Sequence, residues 1–116
     1  MKISILLPYK ENFAPNYAGA VSLHVEHISQ NSIFKKNIQV FGNTKYKKKF
    51  KSNYTNITFN QLFLSSNQKK YIKNFIEIEK FNPSSLIEIH NRPLYLKQLT
   101  EKLNRKLDQK TSLFKI

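Results

Sequence analysis

The feature that most constrains this chain is the run Ile3-Ser4-Ile5-Leu6-Leu7, closed at once by Pro8. Successive side chains of an extended strand point to opposite faces, so an almost continuous apolar run leaves neither face fit for water. Such a strand belongs in a parallel sheet covered by helices on both sides.

The sequence that follows supplies the rest of such a sheet. Residues 9–19 hold Pro15, Gly19 and two Asn, which is turn chemistry and predicts a loop. Val21, Val25 and Ile28 then recur at helical spacing, with Ser22 or a neighbour as the cap and an end near Asn31 or Ser32. Ile38-Gln39-Val40-Phe41 before Gly42-Asn43 reads as a second strand, and Ile57-Thr58-Phe59 as a third at the sheet edge. Ile72, Phe75, Ile76 and Ile78 place a surface helix over 66–81, broken by Pro83-Ser84-Ser85. Leu86-Ile87-Glu88-Ile89-His90 is the next strand. Pro93 opens a further helix, with Leu96, Leu99, Leu103 and Leu107 as its buried stripe. Residues 111–116 end the chain as a strand. This alternation predicts an α/β fold with a Rossmann-like open, mostly parallel sheet, right-handed crossovers and helices on both faces.

Composition narrows the function classes. A length of 116 residues fits one domain. The formal charge of +13 comes almost wholly from Lys, with Arg92 and Arg105 the only arginines. Lys45, Lys47, Lys48, Lys49 and Lys51 surround Tyr46 and Phe50, a pattern that cannot be core and predicts an exposed loop. This charge is open to three readings: a solvated surface, contact with an anionic membrane, and nucleic-acid binding, of which the last is the least favoured. The chain has no Cys, which removes disulfides and thiolate metal sites and fits a cytoplasmic setting. His24, His27 and His90 form no metal set, and no stretch approaches the roughly 20 apolar residues of a membrane span.

In an open α/β sheet, ligands bind beyond the carboxyl ends of the strands where strand order reverses. If the first strand and the 86–90 strand are neighbours, two polar turns meet there. The first carries Tyr9, Lys10, Glu11, Asn16, Tyr17, Gly19 and Ala20 at a helix entry, where backbone amides can hold a phosphate or oxyanion. It lacks the three-glycine dinucleotide spacing and is no P-loop, so a simple packing turn is the alternative. The second is His90-Asn91-Arg92, offering an imidazole, an amide and a guanidinium together. Its alternative is structural: His90 caps the strand and Arg92 pairs with a surface carboxylate. Glu88, two residues before His90, shares its sheet face and can orient the ring. His24 and His27 read as surface or packing residues.

Taken together, Lys2-Ile3-Ser4-Ile5-Leu6-Leu7-Pro8-Tyr9, the loop from Asn12 through Pro15-Asn16-Tyr17-Ala18-Gly19-Ala20 to Val21, and Glu88-Ile89-His90-Asn91-Arg92-Pro93 resemble the amino-terminal domain of family 4 glycosyltransferases, especially bacterial enzymes of cell-surface polysaccharide and lipopolysaccharide synthesis. The resemblance implies that residues 1–116 are the acceptor side of a two-domain GT-B enzyme, a retaining, hexosyltransferase-like activity with no metal or cofactor. The nucleotide sugar is a co-substrate held mainly by a carboxyl-terminal domain, and the acceptor is a glycan or lipid-linked saccharide. It further implies His90 as the catalytic residue and Tyr9, Asn16, Tyr17, Gly19, Ala20, Asn91 and Arg92 as substrate-binding residues. Gly19 and Ala20 would approach the donor diphosphate, and His90 and Arg92 would line the interdomain cleft. Location would be cytoplasmic, peripheral at the inner face of the cell membrane through Lys45, Lys47, Lys48, Lys49 and Lys51. Where many relatives have a glycine pair this loop has Ala18-Gly19, and the sequence stops before a donor domain, so the expectation is an incomplete domain inactive alone. The competing reading is a basic α/β module that binds anionic membrane or nucleic acid.

Overall fold

The structure is a computed structural model that describes residues 1–60, 66–90, 92–103 and 113–115. Its elements run β1 (Ile3–Leu6), α1 (Ala20–Asn31), a short 3-10 turn (Lys35–Asn37), β2 (Ile38–Gly42), β3 (Tyr54–Asn56), α2 (Asn67–Phe81), β4 (Leu86–Ile89), α3 (Pro93–Leu103) and β5 (Leu113–Lys115). The strands form one 5-stranded sheet in the order β3-β2-β1-β4-β5. All four pairings are parallel. The open, Rossmann-like α/β fold expected from the first strand is therefore present.

β1 is central, which explains its composition. Ile5 and Leu7 face one layer with Phe13, Val25 of α1, Ile38 and Val40. Leu6 faces the opposite layer with Phe41, Ile87, Ile89, four residues of α2 (Tyr71, Ile72, Phe75, Ile76) and Tyr95 and Leu99 of α3. The sheet thus separates two cores, with α1 covering one face and α2 and α3 the other. At ~25 cal/mol per Å² of apolar surface removed from water, these two layers supply the main drive to fold.

A buried polar network fastens the amino end of the sheet. The Glu79 carboxylate of α2, wholly buried, accepts from the Ser84 amide at 3.1 Å and from the Ser84 hydroxyl, which also bonds Ser4 of β1 at 2.6 Å. Lys2 Nζ stands 3.9 Å away as counter-charge. A buried carboxylate is tolerable only when its oxygens are satisfied in this way.

Several expectations need correction. The third strand lies at Tyr54–Asn56, not at 57–59. Its register is fixed by Val40 opposite Tyr54, and Ile57, buried just beyond the strand, joins the α2 core, so its apolar character reports burial more than ladder pairing. The fourth strand ends at Ile89, one residue before His90. Ser22 is not the cap of α1: the N-cap is Gly19, no side chain of the cap residue bonds the helix, and the buried set of α1 is Ser22, Val25 and Ser29, with Val21 and Ile28 only half-buried. The lysine-rich stretch is a loop, yet Phe50 is half-buried and packs against the core, meeting Phe13 edge to face at 4.9 Å. Tyr71, which follows the lysine-rich first turn of α2, and Tyr95 of α3 are both buried. Leu107 lies outside the described residues. Among the described residues, no helix is long and apolar enough to cross a membrane, and no group of three His, Asp or Glu is arranged to hold a metal ion.

Candidate functional site

The chain moves outward from β1 to β2 and β3, then crosses back to place β4 on the other side of β1. Strand order therefore reverses between β1 and β4. Leu6 stands opposite Ile89 in register, so the segments leaving both strands emerge side by side at one rim. That rim is where open α/β sheets bind ligands.

The loop after β1 is held by three anchors. The Tyr9 amide donates to the hydroxyl of Tyr95 on α3 at 3.2 Å, and the Phe13 amide donates to Thr44 Oγ1 at 2.9 Å. The third anchor is Glu11, whose carboxylate accepts from the Gly19 amide at 3.0 Å and from Ser22 Oγ at 2.8 Å. An α1 first turn with no acidic residue and no capping side chain leaves amide donors exposed, and Glu11 supplies the missing negative charge from a distance. The anion position expected at Gly19 and Ala20 is thus filled by the protein's own carboxylate. A Cβ at position 19 would come within 2.6 Å of Glu11 Oε2, which gives Gly19 a packing reason for having no side chain.

On the other side of the rim, His90 Nε2 lies 2.8 Å from Glu88 Oε2. An ionised carboxylate only accepts, so Nε2 is the donor of this bond. The sequence placed Glu88 and His90 on one face, and the geometry brings them into contact. His24 of α1, read from sequence as a surface or packing residue, is exposed and sets its ring edge-to-face to that of His90, with centroids 6.1 Å apart. No spacing could have shown this, because the two rings lie 66 residues apart in sequence and meet only through the fold. The Arg92 guanidinium hydrogen-bonds Tyr95, and the Arg92 carbonyl accepts from the Tyr95 amide at 3.0 Å. Burial pushes the Tyr95 phenol up, and Arg92 and the Tyr9 amide pull it back.

Tyr17 is 58% exposed and stacks on Tyr46 of the loop after β2, with centroids 3.9 Å apart and planes 11° from parallel. Asn16 and Ala20 are exposed, and Asn91 lies outside the described residues. Lys45, Lys47, Lys48 and Lys51 are exposed, whereas Lys49 folds back so that its ammonium donates to the Tyr46 carbonyl at 3.0 Å. Two further phenols mark the floor beneath the rim. Tyr71 donates to the Leu7 carbonyl at 2.6 Å, and burial pushes its pKa well above the ordinary tyrosine range. Tyr54, bonded to Thr44 and Asn56, is pushed by burial up to about 12.

No family model, curated protein or solved structure matches the chain.

Proposed function

We propose that this chain is the acceptor-side, amino-terminal part of a retaining glycosyltransferase of the GT-B type, which moves a sugar from a nucleotide-sugar donor to a cell-surface glycan or lipid-linked acceptor. The observation that carries the reading is the Glu88–His90 pair at the rim where β1 and β4 adjoin, facing the loop of residues 8–19. In this reading Glu88 fixes the ring, and His90 Nδ1 offers an acceptor to a sugar hydroxyl in the cleft between this domain and a donor domain. Retaining transfer gains most from stabilising charge that develops as the diphosphate departs. Glu11 occupies the α1 amides, so the donor diphosphate would take its main contacts from the second domain, and residues 9, 16 and 17 would position the acceptor. Transfer of labelled sugar to a lipid-linked saccharide, measured on the chain extended by a donor-binding domain, tests this: His90→Ala should lower turnover roughly 100-fold, the lower end of what a positioned proton-transfer or hydrogen-bonding group contributes. Unchanged turnover would remove His90 from the reaction.

A second reading, a basic module for anionic surfaces, is favoured by the exposed Lys45, Lys47 and Lys48 beside the Tyr17–Tyr46 stack. It is compatible with the first, since an enzyme acting on lipid-linked acceptors works at a charged surface.

A further inference from the structure

Neither reading assigns a ligand to one cleft at the same rim. It opens between the segments leaving β1 and β2, has a volume of about 360 Å³, and is lined by Tyr9, Lys10, Asn12, Asn43 and Lys45. We propose that this cleft is a phosphoryl-binding subsite in which Lys10 and Lys45 hold a phosphate or diphosphate group. The inference rests on the transferase reading only in naming the group's source as the phosphorylated part of a lipid-linked acceptor.

Three observations support it. The lining contains two ammonium-bearing side chains and no carboxylate. The nearest acidic residue, Glu11, sits next to Lys10 in sequence but is spent on Gly19 and Ser22, so its charge is directed to α1 and away from the cleft. Second, Lys10 has φ of 70°, in the left-handed region where a residue with a Cβ is strained. Strain of this kind persists where the surroundings enforce it, and it gathers at binding sites. Here it turns the chain directly after β1 so that the Lys10 side chain lies at the cleft wall rather than continuing along the strand. Third, the walls are polar and pinned. The Asn12 side chain accepts from the Lys45 amide at 3.3 Å, which ties the two loops across the opening, and the Asn43 side chain donates to the Ile57 carbonyl at 2.9 Å, which fixes its wall to the segment after β3. Each ammonium also lies over a tyrosine ring, Lys10 over Tyr9 at 5.7 Å and Lys45 over Tyr46 at 5.3 Å, which orients it without neutralising it.

The test is a titration of the 116-residue chain with inorganic pyrophosphate, followed by amide chemical shifts. Saturable shifts centred on Lys10, Asn12, Asn43 and Lys45 are expected, and the double variant Lys10→Gln with Lys45→Gln should weaken binding about tenfold or more, as loss of two charge-assisted contacts requires. The remaining amide spectrum of that variant reports that it folds. Lys35→Gln with Lys36→Gln removes the same charge before β2, at the other end of the sheet, and should leave binding within about twofold. Equal weakening by the two pairs, or shifts spread over all lysine-bearing segments, would overturn the subsite in favour of unspecific charge. Geranyl diphosphate in place of pyrophosphate separates the sources: tighter binding supports a lipid-linked acceptor, and equal binding removes the lipid from the inference. Pyrophosphate binding that survives His90→Ala while sugar transfer is lost keeps the two proposals separable.

Discussion

Glu11 shows how one side chain can decide what a loop is able to do. Its carboxylate is the acidic partner that α1 lacks in its own first turn, and it holds residues 11–19 as a closed strap. Glu11→Ala should destabilise the fold by about 1–2 kcal/mol, and Glu11→Gln by less, because the amide oxygen still accepts while the charge is gone; urea unfolding of the three chains checks the order. Tyr54 makes a pH prediction. Its phenol titrates at about 12 when folded against 10.0 when exposed, because burial disfavours the phenolate. The folded state therefore holds this proton more tightly, so its stabilising contribution is complete below 10.0 and is lost as pH rises toward 12. Parent chain and Tyr54→Phe should differ in unfolding free energy below that window and converge across it, since the phenylalanine chain has no such proton to lose. A constant difference would show that burial does not govern this group. Of the candidate residues, Tyr9, Glu11, Tyr17, His90 and Arg92 could be named from sequence because turn chemistry at strand ends is local. The contacts of Glu11 with Gly19 and Ser22 and of His24 with His90 could not, because they depend on how the chain folds back on itself.

At the scale of elements, the strands with apolar runs were legible and the weakly patterned ones were not. β1 and β4 carry continuous or alternating apolar residues, and α2 has a Ser66 cap that accepts from the Lys69 amide at 3.3 Å, so both kinds of boundary were readable to within a residue. β3 was displaced by three residues because Tyr54-Thr55-Asn56 is polar enough to pass for a turn, and only its pairing with β2 makes it a strand. The loop at 45–51 illustrates the limit of composition. Its lysines face solvent as expected, but Phe50 anchors it to Phe13 and Tyr46 to Tyr17, so the basic patch is held against the rim at both ends. Lys47→Glu with Lys48→Glu should therefore abolish flotation with vesicles containing anionic phosphatidylserine and leave thermal stability nearly unchanged, each lysine near such a surface being worth ~1 kcal/mol. Vesicle binding that survives the double charge reversal, or that ignores added salt, would exclude the electrostatic account.

For the whole molecule, the decisive fact is the return of the chain to β1 after β3. Alternating strands and helices foretold a parallel sheet, and the reversal of strand order follows from where β4 finds an open edge of β1. That single topological step makes neighbours of a loop near residue 10 and a turn near residue 90, and it separates the polar rim from the Glu79–Ser84–Ser4 network that secures the opposite end. The most direct measurement is an amide-shift titration of the chain with a water-soluble isoprenyl-diphosphate-linked saccharide. Shifts gathered on Tyr9, Tyr17, Gly19, Glu88 and His90 are the predicted result; shifts confined to the Ser84 end, or no saturable binding, would contradict an acceptor site at the β1–β4 rim.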